Sequence, residues 1–83
     1  MNIIKYPLST EKSIRLMESE NKLIFIVERK VTKRDIKEAL ETKFKVKVQK
    51  INTLITPSGK KKAYVKFLPE TPAIDLATKL GLM

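Results

Sequence analysis

Hydrophobic positions along the chain recur with two different periods. Leu23-Ile24-Phe25-Ile26-Val27 is an unbroken, largely β-branched run, which reads as a strand needing cover on both faces. Ile36, Ala39, Leu40, Lys43 and Phe44 fall at i, i+3, i+4, i+7 and i+8, one face of a helix. Only Lys43 breaks that face, and its stem can lie along the apolar stripe. Thr32 supplies the N-cap, with Asp35 standing where a capping box usually has Glu or Gln. Upstream, Ile14 and Met17 mark the buried stripe of another helix. Ser9 or Thr10 caps it, Glu11 suits its first turn, and it should fade by Ser19-Glu20-Asn21. Ile3 and Ile4 before Tyr6-Pro7 predict a short opening strand that the proline stops.

Residues 46–55 read as a long strand, with Val46 and Val48 alternating against Lys45, Lys47 and Gln49. The parity then breaks, because the next apolar residue is Ile51; either a bulge near Lys50 or burial on both faces accounts for it. Thr56-Pro57-Ser58-Gly59 is a turn, and Ala63-Tyr64-Val65-Lys66-Phe67 is the returning strand of a hairpin. Pro69 and Pro72 close the segment, and Ala73 to Leu80 form a last short helix capped by Gly81. A right-handed strand–helix–strand crossover leaves a gap that the last strand fills, antiparallel to both neighbours. The expected fold is α+β: a split α/β plait with an antiparallel four-stranded sheet, one strand short and N-terminal, and helices on both faces.

With 83 residues, positions 1–83 are expected to form a single domain with a modest core. No apolar run approaches a membrane span, and Met1-Asn2-Ile3-Ile4-Lys5 lacks the features of a signal peptide. The chain has no cysteine and no histidine, which removes thiolate metal sites, the commonest metal ligand and the commonest general base. No metal or other cofactor is expected, nor is catalysis.

Charge changes the picture more than any of these. The net charge is +9, and residues 22–66 hold fourteen basic against four acidic side chains, a net +10. An excess confined to the middle of a folded domain points to a built cationic surface for a polyanion. The hairpin is its densest part. Lys60, Lys61 and Lys62 follow the turn, and Lys66 shares a strand face with Lys62 and Tyr64. Lys45, Lys47 and Lys50 extend the field along the preceding strand, and Asn52, Thr53 and Thr56 can fix register on sugar or phosphate. Tyr64 either stacks on a base or is a half-buried strand aromatic.

Enzymatic readings are poorer. Ser9 or Ser13 beside Lys12 could form a Ser–Lys pair, but capping explains the serines. Two glycines, Gly59 and Gly81, leave no phosphate loop. Ala63 to Phe67 matches the second half of the RNA-recognition-motif octamer, while Lys61 and Lys62 stand where that motif has glycine and an aromatic. A free-standing plait domain of that kind, binding single-stranded RNA or DNA through its sheet, is the alternative reading.

Pro7-Leu8-Ser9-Thr10-Glu11-Lys12-Ser13, Asn52-Thr53-Leu54 and Gly59-Lys60-Lys61-Lys62-Ala63-Tyr64-Val65-Lys66 together resemble the universal large-subunit ribosomal protein L23 family (uL23). The likeness covers nearly the whole chain in order; Phe67 departs from it, where the family usually has leucine. It implies a four-stranded antiparallel sheet flanked by helices and a structural, non-enzymatic role in the cytoplasmic ribosome. The implied partners are large-subunit rRNA near the polypeptide exit tunnel, neighbouring ribosomal proteins, and factors such as the signal recognition particle. Besides the strand and hairpin residues above, Lys5, Ser9, Thr10, Lys12, Arg15 and Gln49 are expected to contact rRNA. The resemblance implies docking of factors at Glu11, and Glu18 is expected to share in it. Glu11 is equally a first-turn helix acid. A monomer is expected off the ribosome. The short turn and the absence of a basic N-terminal extension make the resemblance archaeal.

Overall fold

The computed structural model describes residues 3–81. Its elements run β1 (Ile4–Pro7), α1 (Glu11–Glu20), β2 (Lys22–Val27), α2 (Lys33–Phe44), β3 (Val48–Ile55), β4 (Lys61–Phe67) and α3 (Ala73–Lys79). The four strands form one sheet in the order β1-β2-β4-β3, every neighbouring pair antiparallel. β4 thus fills the gap between β2 and β3, and the split plait expected from the pattern is the fold observed.

One face of the sheet carries the main core. Leu23, Phe25 and Val27 of β2, Ala63, Val65 and Phe67 of β4, and Val48 and Ile51 of β3 meet Met17, Ile36, Leu40 and Leu76 from the three helices. Ile24 and Ile26 of β2 are also buried, but on the opposite face and outside that cluster. There Ile26 has Tyr6 and Lys62 as cross-strand neighbours, and Ile24 has Tyr64. α1 packs along β2 and serves both faces: Met17 enters the core, while the Lys12 ammonium lies 5.8 Å from the Tyr64 ring centre. Helices were expected on both faces, but all three send their buried side chains into the core on one, so the apolar run obtains its second cover from long amphipathic side chains such as Lys12.

Local chemistry fixes the ends of the helices. Thr10, rather than Ser9, caps α1: its hydroxyl accepts from the Ser13 N–H at 3.2 Å, and the Ser13 hydroxyl accepts from the Thr10 N–H at 2.8 Å. That reciprocal pair turns Ser13 inward. The buried positions of α1 are therefore Ser13 and Met17, one turn apart, and Ile14, expected in the stripe, is 37% exposed. Thr32 and Asp35 form the second box at the start of α2. Lys43 stays exposed, its ammonium 5.6 Å from the Phe44 ring centre.

Asn21 joins three elements. Its backbone takes the left-handed conformation (φ 56°) that ends α1, its Nδ2 points among the carbonyls of Phe67, Leu68 and Thr71, and its Oδ1 accepts the Ala73 N–H at 2.6 Å. Pro72, the N-cap residue of α3, makes no side-chain cap bond, so Asn21 caps that helix from 52 residues away.

The parity break in β3 is a bulge. Val48 pairs with Phe67 and Lys50 with Lys66, leaving Gln49 as the extra residue. Before it, even-numbered positions face the core; after it, odd-numbered ones do. Val48 and Ile51 are both buried as a result, and Lys50, Asn52 and Leu54 turn to the other face.

Candidate nucleic-acid interface

Partners paired across an antiparallel sheet point to the same side. The register therefore defines the face opposite the core as three rows. Lys22, Lys66 and Lys50 form one row across β2, β4 and β3. Ile24, Tyr64 and Asn52 form the next, and Tyr6, Ile26, Lys62 and Leu54 the third. Lys60 extends the third row at the hairpin end, where its ammonium reaches the Tyr6 hydroxyl at 3.3 Å. Lys12 arrives from α1 above Tyr64. Six lysines thus surround a stripe of Ile24, Tyr64 and Asn52, and β2, β3 and β4 contain no acidic residue.

Like charges directly opposed on adjacent strands are destabilising, and this row opposes them twice. Lys22 has some relief from the Glu20 carboxylate at 3.1 Å. Among the described residues, Lys50, Lys62 and Lys66 have no carboxylate within ion-pair distance. A surface built this way against its own repulsion suits a polyanion, and the aliphatic stems still cover Ile24 and Ile26.

The other residues singled out from the sequence lie elsewhere or are engaged locally. Lys61 points to the helix side of the sheet and donates to the Val31 carbonyl, so it does not share the face of Lys60 and Lys62. Thr53 pairs with Ala63 on that same side. The Thr56 hydroxyl is held within the turn, accepting from the Lys60 N–H at 3.1 Å and bonded to Ser58 Oγ at 2.9 Å. Thr10 is engaged in the α1 cap, and Ser9 is exposed just before it. Lys5 sits on edge strand β1, 3.8 Å from Glu28. Lys45 ends α2 in the left-handed conformation (φ 56°), and Lys47 and Gln49 are exposed at the start of β3. Arg15 donates to Glu11 at 2.7 Å on the outer side of α1, where Glu18 is also exposed.

Sequence reasoning missed Lys22 and Tyr6. Lys22 looks like the polar edge of an apolar run, and Tyr6 like part of a strand end. Only the register of β2 on β4 and of β1 on β2 brings them to the lysine face.

Fold and surface together define a small, basic α+β plait protein with one cationic sheet face. The family model described as ribosomal protein L23 matches residues 2–76. The large ribosomal subunit protein uL23 of Methanococcus aeolicus is 48% identical over 81 residues, covering 98% of this chain and 94% of that protein. The chain belongs to the ribosomal protein L23 family, uL23, of the archaeal type, and is a protein of the large ribosomal subunit.

Proposed function

We propose that the protein is a structural constituent of the cytoplasmic ribosome that binds large-subunit rRNA through the lysine face of its sheet, beside the polypeptide exit tunnel. The observation that carries this reading is the Lys22–Lys66–Lys50 row, with Lys12, Lys60 and Lys62 on the same face of strands β2, β3 and β4, which contain no acidic residue. Lysines held on a stiff sheet meet separate phosphates, and each contact releases condensed counterions. The protein acts by holding RNA and by packing against neighbouring ribosomal proteins, without turnover. Lys22→Ala/Lys50→Ala/Lys66→Ala should reduce the slope of log affinity against log salt by about 2 to 3 for an rRNA fragment. Lys61→Ala should leave the slope nearly unchanged and lower stability instead, because its ammonium serves Val31. An unaltered slope in the triple variant excludes the face as the RNA contact.

The outer side of α1 supports a docking role for factors such as the signal recognition particle. Glu11, Ile14 and Glu18 lie at i, i+3 and i+7, and all three are exposed. An apolar side chain framed by two acids fits a basic, partly apolar partner. Glu11→Ala should weaken factor binding to ribosomes carrying the variant while rRNA affinity stays the same.

A further inference from the structure

Resting on that reading, we propose that the lysine face recognises an A-form RNA double helix across its minor groove, rather than a single strand laid along the sheet. Apart from Lys12, which reaches from α1 over the middle row, the cations form two groups. One is the Lys22–Lys66–Lys50 row, spanning two strand spacings, about 10 Å at the Cα level. The other is Lys62 and Lys60, which begins four residues further along β4, about 13 Å away at strand rise. Between them runs the Ile24–Tyr64–Asn52 row, where the exposed Asn52 amide and the half-buried Tyr64 present hydrogen-bonding groups. The two sheet-borne groups lie far enough apart to meet the two phosphate strands that border one groove, with Lys12 between them over Tyr64. The minor groove of A-form RNA is wide and shallow and lined with 2′-hydroxyls, which a sheet face can approach.

The aromatics argue the same way. Single-strand binding on a sheet uses bare rings on which bases stack. The chain has two tyrosines, both on this face, and each already has a lysine ammonium near its ring, Lys12 at 5.8 Å from the Tyr64 centre and Lys60 at 6.0 Å from the Tyr6 centre. A stacked base would have to displace those cations; a backbone phosphate or a 2′-hydroxyl meets them where they stand. Asn52 and the Tyr64 hydroxyl then distinguish RNA from DNA.

The test is titration of the intact protein with a short mixed-sequence RNA duplex, the DNA duplex of the same sequence, the RNA single strand, and an rRNA fragment, all at one salt concentration. The RNA duplex should bind about tenfold tighter than either the DNA duplex or the single strand, the worth of one or two hydrogen bonds to hydroxyls. Asn52→Ala and Tyr64→Phe should each reduce the preference for RNA over DNA duplex several-fold, with circular dichroism and melting temperature unchanged. Equal or tighter binding of the single strand, with the rRNA fragment still bound, overturns the duplex inference and leaves the proposed function standing. Equal affinity for RNA and DNA duplexes overturns it too. Failure to bind even the rRNA fragment defeats the proposed function itself.

Discussion

Asn21 is the residue on which most of the chain's turning depends. Alanine there removes the acceptor that caps α3, strands the carbonyls near the end of β4, and places an ordinary side chain at a left-handed φ. We expect Asn21→Ala to lower unfolding free energy by about 2–4 kcal/mol in a denaturant titration. Asn21→Gly should recover part of that loss, because glycine tolerates the conformation although it cannot make the bonds. A pair of variants with equal stability would show that the side-chain bonds contribute nothing. Asp35 acts through charge instead. Bonds from the Thr32 backbone and side chain hold its carboxyl below the ordinary carboxylate range. A depressed folded value means the carboxylate's contribution is fully present above the unfolded value and is lost as pH falls through the folded one. The melting temperature should therefore fall on acidification below about pH 4. The part of the fall due to Asp35 should vanish in Asp35→Asn, read by subtracting the two pH curves. Coincident curves in wild type and variant would remove Asp35 from the account.

At the scale of elements, the hairpin of β3 and β4 is where stability and function diverge. Lys66 is flanked by lysines on both neighbouring strands, so Lys66→Thr should stabilise the free protein by about 0.5 kcal/mol while weakening RNA binding. A variant that lost stability would mean that its stem, packed over the sheet, outweighs the repulsion. Much of this element was legible beforehand. The turn at Gly59 (φ 87°), the return strand and the parity break near Lys50 follow from local chemistry that one segment carries by itself, as does the α2 cap at Thr32 outside the hairpin. The rotation of α1 was not legible, because Ile14 outranks Ser13 in any hydrophobic pattern. Only the reciprocal cap to Thr10 makes a serine the better inward residue. The site divides the same way. Lys62, Tyr64 and Lys66 share a face by simple alternation within one strand, whereas placing Lys22 and Tyr6 beside them needs inter-strand register. Composition groups Lys61 with its neighbours, and strand alternation separates it.

At the scale of the whole molecule, the net charge of +9 makes folding and RNA binding respond to salt with opposite signs. RNA binding weakens as salt rises, because the counterions released on binding become costlier to release. The free protein carries its repulsion internally: two directly opposed lysine pairs on adjacent strands, and fourteen basic side chains within residues 22–66. Among the described residues its ion pairs are few, and each has at least one exposed side chain, so screening removes little attraction from it. Screening over a Debye length of about 10 Å at moderate salt covers the span of the lysine row. Sodium chloride added from low to moderate concentration should therefore raise the melting temperature of the free protein over the same range in which it loosens the RNA complex. Lys22→Ala/Lys50→Ala/Lys66→Ala should show a smaller rise, because part of the repulsion being screened is gone. Calorimetry of both proteins across the salt series reads the two slopes directly. If the variant's melting temperature climbs as steeply as the wild type's, the repulsion lies elsewhere on the surface, and the row across β2, β4 and β3 is not the strained cationic feature that an RNA backbone relieves.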